Sequence, residues 1–98
     1  ILDFKIEDIH YTNACYNLGI MFQEALEDPK NAIDYYLEAI RINEKHFLSF
    51  YQMAFCYQKL GDVRSAEKYY RKSLDISPGF EKAQQQLDQL LLDNKKYK

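Results

Sequence analysis

Apolar residues return every three or four positions through most of the chain. In the stretch around "NAIDYYLEAI", Ala32, Tyr36, Ala39 and Ile40 fall on one side of a helix, and the charged Lys30, Asp34 and Glu38 fall elsewhere. Further on, Ala66, Tyr70, Ser73 and Leu74 repeat the stripe, with Arg64, Lys68 and Lys72 on the exposed positions. A second helix precedes each of these. Cys15, Leu18, Gly19 and Phe22 share a face in the first, and Phe50, Met53, Ala54 and Tyr57 in the second. Gly19 and Ala54 are the small members, as two closely crossing helices require. Asp28, followed by Pro29, and Asp62 are suited to N-caps, and Gly61 suits a left-handed C-terminal cap.

The pattern is a repeat. "LEDPKNAIDYYLEAIRINE" (26–44) lies over "LGDVRSAEKYYRKSLDISP" (60–78) without a gap, at a shift of 34 residues. Leu18 and Met53, in the leading helices, are 35 apart. One extra residue therefore stands between Phe22 and Leu26, and it must lengthen that helix or bulge the turn. After the second copy, Ser77 and Pro78 suit the cap and first position of a fifth helix, whose apolar face is Ala83, Leu87, Leu90 and Leu91. Asp88 takes the place held by Gly19 and Ala54, so this helix reads as a C-terminal cap with a polar outer face. At the other end, Leu2, Phe4 and Ile6 alternate with Asp3, Lys5 and Glu7, which suits an extended piece or the tail of a preceding repeat. The chain opens on Ile1 and not on methionine, as a segment of a longer protein would.

The residues Cys15-x2-Leu18-Gly19-x2-Phe22, Ala32, Tyr36 and Ala39, and then Phe50-x2-Met53-Ala54-x2-Tyr57, Gly61, Ala66, Tyr70, Ser73 and Pro78, resemble the tetratricopeptide repeat. The second copy is the more faithful; the first has Glu44 where the second has Pro78. Sel1-like repeats, which tolerate longer loops, are a related alternative with the same fold. The resemblance implies an all-α protein: a right-handed α-solenoid of antiparallel helical hairpins, about five helices in all. Its divisions would be a lead-in at 1–11, repeats at 12–46 and 47–80, and a capping helix with a basic tail at 81–98. Two hairpins and a cap are near the lower limit of a stable array, so the N-terminal segment, further repeats or a second subunit would complete it.

Composition narrows the function. A net charge of −2 gives no positive field for nucleic acid or an anionic membrane, and no apolar stretch is long enough for a span. Two cysteines, Cys15 and Cys56, read as packed free thiols and favour a reducing, cytoplasmic setting. His10 and His46 fall in apparent inter-helix segments without metal-ligand spacing, and no phosphate-cradling glycine loop exists. No cofactor, metal or catalytic residue is expected, and the segment does not read as an enzyme.

The informative residues are those that the repeat does not require. Asn13, Tyr16, Ile20 and Gln23 lie on one flank of the first leading helix, and Leu48, Tyr51, Phe55 and Gln58 on the same flank of the second. In tetratricopeptide-like solenoids this flank lines the concave surface, which takes an extended or helical peptide. Asn17, Gln52, Lys59, Lys82, Gln85 and Gln86 would border it. Part of the flank can instead be inter-repeat core, an even choice for Tyr16 and Ile20, with Tyr51 and Phe55 leaning to the groove. The implied function is a scaffold that binds an apolar peptide or helix of a protein partner. Self-association through the same surface, or a regulatory segment of a larger enzyme, are the alternatives. Some members of the family clamp chaperone C-terminal carboxylates through a set of Lys, Asn and Arg. Here Tyr16, Ile20 and Gln86 replace three of these and only Lys82 matches, so that partner is not expected.

Overall fold

The structure, a computed structural model, describes residues 6–96, the side chain of Lys96 excepted. It consists of α1 (Ile6–Glu24), α2 (Pro29–Ile42), α3 (Phe47–Lys59), α4 (Val63–Ile76) and α5 (Glu81–Lys96). Packing follows chain order: α1 on α2, α2 on α3, α3 on α4 and α4 on α5, with α1 touching α3 only lightly. The result is an all-α stack of helical hairpins, 46 × 30 × 18 Å.

Each hairpin is built around one tyrosine. Tyr36 and Tyr70 have no exposed surface and stand in clusters with Ala32, Ile33, Met53 and Cys56, and with Ala54, Ala66, Leu87 and Leu90. A buried phenol needs a partner for its hydroxyl. Tyr36 donates to Gln23 Oε1 at 2.7 Å, and Tyr70 donates to Gln58 Oε1 at 2.8 Å. Gly19 shows why a small residue is needed here. A Cβ on it would overlap Cε1 of Tyr36 and lie 2.7 Å from two further ring carbons.

The caps form as the residue types dictate. Asp28 accepts from the Asn31 backbone N–H at 3.2 Å, and Asp62 from that of Ser65 at 3.1 Å. Gly61 has φ +85° and ends α3, with the Asp62 N–H reaching the Tyr57 carbonyl. The extra residue of the first copy is absorbed at the end of α1. There Leu26 N–H bonds the Met21 carbonyl five residues back, and Asp28 N–H bonds Phe22 six back. The turn is widened, and the left-handed position next to the cap falls on Glu27, at φ 49°.

Three expectations are corrected. Ile6 and Glu7, read as part of an extended piece or of a preceding repeat's tail, instead begin α1, because Ile6 and Ile9 share helical spacing and Glu7 and Asp8 sit favourably in a first turn. His10 is therefore an exposed helix residue; Leu2 and Phe4 lie outside the described residues. The fifth helix begins at Glu81 and not at Pro78. Ser77 ends α4, and the Phe80 N–H closes a turn on the Ser77 carbonyl, as His46 does on Asn43 after α2. Leu18, expected on a packed face, is 37% exposed, because no described helix covers that side of α1.

Candidate functional site

Gln23 is placed where α1, α2 and α3 meet. Its Oε1 accepts from the Tyr36 hydroxyl and, at 3.4 Å, from the Cys56 thiol. Its Nε2 donates to Gln52 Oε1 at 3.0 Å, and Gln52 Nε2 reaches the Tyr16 hydroxyl at 3.5 Å. One amide thus joins both hairpins and draws Tyr16, Gln23 and Gln52 into a single network. Gln58 does the equivalent task within the second hairpin.

Most of the aromatic flank is packed more closely than an open groove would be. Tyr16 and Ile20 rest on the first cluster, with the Tyr16 ring 5.8 Å from Tyr36 and 5.2 Å from His46. Tyr51 rests on the second, 5.9 Å from Tyr70 and 5.1 Å from Phe80. Burial pushes its hydroxyl pKa upward, with Tyr16 adding to the effect. Phe55 differs. Its half-buried ring carries Lys59 Nζ at 5.4 Å and forms one wall of a cleft.

That cleft, about 470 Å³, is lined by Gln23, Glu24, Glu27, Pro29, Phe55 and Lys59. It lies where the ends of α1 and α3 meet the start of α2, so the widened turn after α1 forms its rim. An aromatic floor, an ammonium and two carboxylates surround it, a combination that suits an apolar side chain flanked by polar backbone. Glu24, Glu27 and Pro29 were not among the sequence-derived candidates; the one-residue insertion was the signal that pointed to this turn. Among those candidates, Asn13, Asn17, Lys59, Lys82 and Gln85 are exposed, and Leu48 and Gln86 are half-buried. Lys82, Gln85 and Gln86 belong to α5 and are not part of the cleft lining.

Burial raises the Cys15 thiol, and burial followed by the nearby Glu24 charge pushes Cys56 up to about 12, so both are poor nucleophiles at neutral pH. Burial lowers the pKa of His46, whose Nδ1 lies 2.7 Å from Ser49 Oγ. Among the described residues, no three His, Cys, Asp or Glu side chains converge as metal ligands, and no helix is long and apolar enough to cross a membrane.

Two family models, each described as tetratricopeptide repeat, match the chain at residues 12–46 and 47–80. The boundary between them falls between His46 and Phe47, at the start of α3. A search of curated proteins finds no match.

Proposed function

Because the chain belongs to the tetratricopeptide repeat family, whose repeats generally serve protein–protein interaction, we propose that it is a binding scaffold whose cleft beside Phe55 receives an apolar side chain of a peptide or helix from a protein partner. The observation that carries this is Phe55 itself. It is the large aromatic residue on the α3 flank that the hydrophobic clusters do not claim, and it faces a cleft with mixed charge at its border. Tyr16, Ile20 and Tyr51 pack on the hydrophobic clusters, and the Gln23–Gln52 hydrogen bond joins α1 to α3 beside the cleft. Asn13, Asn17, Leu48, Gln58, Lys82, Gln85 and Gln86 lie further along the proposed surface. The reading assigns no catalysis to the segment.

Selection of peptides from a random displayed library against the full chain tests the proposal. Selected peptides are expected to share an apolar anchor and to lose affinity about tenfold or more on Phe55→Ala, with the helical circular dichroism unchanged. Selected peptides that bind the Phe55→Ala protein as well as the parent would overturn it.

A further inference from the structure

Repeat-equivalent residues on the outer sides of α2 and α4 carry opposite charges. At the shift of 34, Asp34 matches Lys68, Glu38 matches Lys72 and Arg41 matches Asp75. Lys30 and Arg64, near the starts of the two helices, keep the same sign. The core does not impose the reversal, because all of these side chains are exposed except Glu38, which is half-buried. On α4 the cations lie over rings. Lys68 Nζ stands 5.1 Å from the centre of the Tyr69 ring, and Lys72 Nζ stands 5.9 Å from that of Phe50. The Phe50 and Tyr69 rings stack, and with Lys68, Arg71, Lys72 and Asp75 they line a cleft of about 440 Å³. Arg71 is held by Glu67 at 2.9 Å, whereas Lys68 and Lys72 have no carboxylate partner among the described residues. On α2 the place of Arg71 is taken by Leu37, which is 41% exposed beside Asp34 and Glu38. One helix thus presents an apolar side chain flanked by carboxylates, and the other presents an aromatic cleft flanked by ammonium groups.

We propose that two copies of the chain pair through this side of the stack, about a two-fold axis parallel to α2 and α4, with α2 of each copy lying on α4 of the other. Tyr69 packs on the cluster that holds Ala32, Ile33 and Tyr36, so α2 and α4 lie side by side. Rotation about an axis that runs between them exchanges the two helices and keeps their direction. Each residue of α2 then faces its repeat equivalent in the second copy, and every contact occurs twice. Asp34 meets Lys68, Glu38 meets Lys72, Arg41 meets Asp75, and Leu37 enters the cleft over Phe50 and Tyr69. Without the reversal, the same arrangement would set like charges against each other. Glu38 already accepts from Tyr11 and Arg41 of its own copy, and a carboxylate has room for a further donor. Lys30 opposite Arg64 is unfavourable, but it lies one turn beyond the Asp34 contact, towards the helix ends and solvent. The surface shares no lining residue with the Phe55 cleft.

Exposed ion pairs are weak singly and are screened by salt, so the dimer is expected to dissociate as salt is raised. Sedimentation equilibrium of the full chain, at about 200 µM in low salt, is expected to show a dimer that Leu37→Ala weakens and Phe55→Ala does not. A charge exchange is the decisive arm. Asp34→Lys with Glu38→Lys makes the facing positions basic on both helices, and Lys68→Glu with Lys72→Glu makes them acidic on both. Each variant alone is expected to be monomeric with unchanged helical circular dichroism. Their equimolar mixture is expected to pair at least about tenfold more tightly than either alone. If a reversed pair loses helicity, Asp34→Asn with Glu38→Gln replaces it and is expected to weaken the parent dimer about tenfold. The proposal is overturned by a parent that stays monomeric, by reversed variants that dimerise as the parent does, or by folded variants whose mixture stays monomeric. An unchanged dimer in the neutral variant would overturn it too, and so would parent species that grow beyond a dimer, since those require a head-to-tail contact.

Discussion

Glu27 and Gly61 occupy the same place, one residue before the capping aspartate, and both have positive φ. Glycine adopts that region freely, whereas a side chain pays in contact between Cβ and the following carbonyl. A Cβ on Gly61 would meet nothing within 4 Å, so backbone strain alone decides the outcome there. Gly61→Ala is expected to lower stability by about 1 kcal/mol or more, and Glu27→Gly to raise it by up to about 1 kcal/mol, both read from urea unfolding. Gly19→Ala acts through space instead. The new methyl must displace the fully buried Tyr36 ring, a cost of about 1–3 kcal/mol that Ala54, in the same place against Tyr70, does not incur. The residue scale also holds a pH response. Burial disfavours the charged form of His46, so its folded pKa lies below the ordinary 6.5 and the unfolded chain binds the proton more readily. The contribution of neutral His46 is whole above pH 6.5 and is lost as pH falls through the folded value. Thermal midpoints at pH 7.5 and 5.5 are expected to differ less in His46→Gln than in the parent; equal differences would contradict this.

At the scale of the helices, most of the architecture was legible because its signals are local. Asp28, Asp62 and Gly61 fix their turns through their own side chains or backbone, and the stripes through Tyr36 and Tyr70 require only helical spacing. Burial was less legible wherever it depends on which helix lies alongside. Leu18 and Met53 occupy the same place in the repeat, yet α2 covers only Met53. Tyr51 reads as a groove residue from its flank position, but Phe80, at the end of the turn before α5, packs on it. Phe55 lacks such a neighbour in the clusters and remains the better candidate for contact. The glutamine network was missed, since Gln23 and Gln58 read only as residues of the groove flank, yet a signal for it was present. Gln23 and Gln58 recur at the repeat register, and a buried tyrosine in each hairpin needs an acceptor. The start of α1 was not visible, because the alternation over residues 2–6 competes with the helical spacing that follows.

Across the whole molecule, the hairpins share a core because α2 and α4 each face two leading helices, and no one hairpin can bury its apolar residues alone. Gln23 couples this core to the surface: the amide that satisfies Tyr36 also borders the cleft beside Phe55. Binding there should therefore tighten the junction of α1, α2 and α3 more than the outer face of α4. The most direct test is an amide chemical-shift map of the full chain, titrated with a peptide selected from the displayed library. The account predicts shifts centred on Gln23, Glu24, Glu27, Phe55 and Lys59, with Arg71 and Asp75 unmoved. Shifts centred on α4 and α5, with the Phe55 cleft silent, would contradict it.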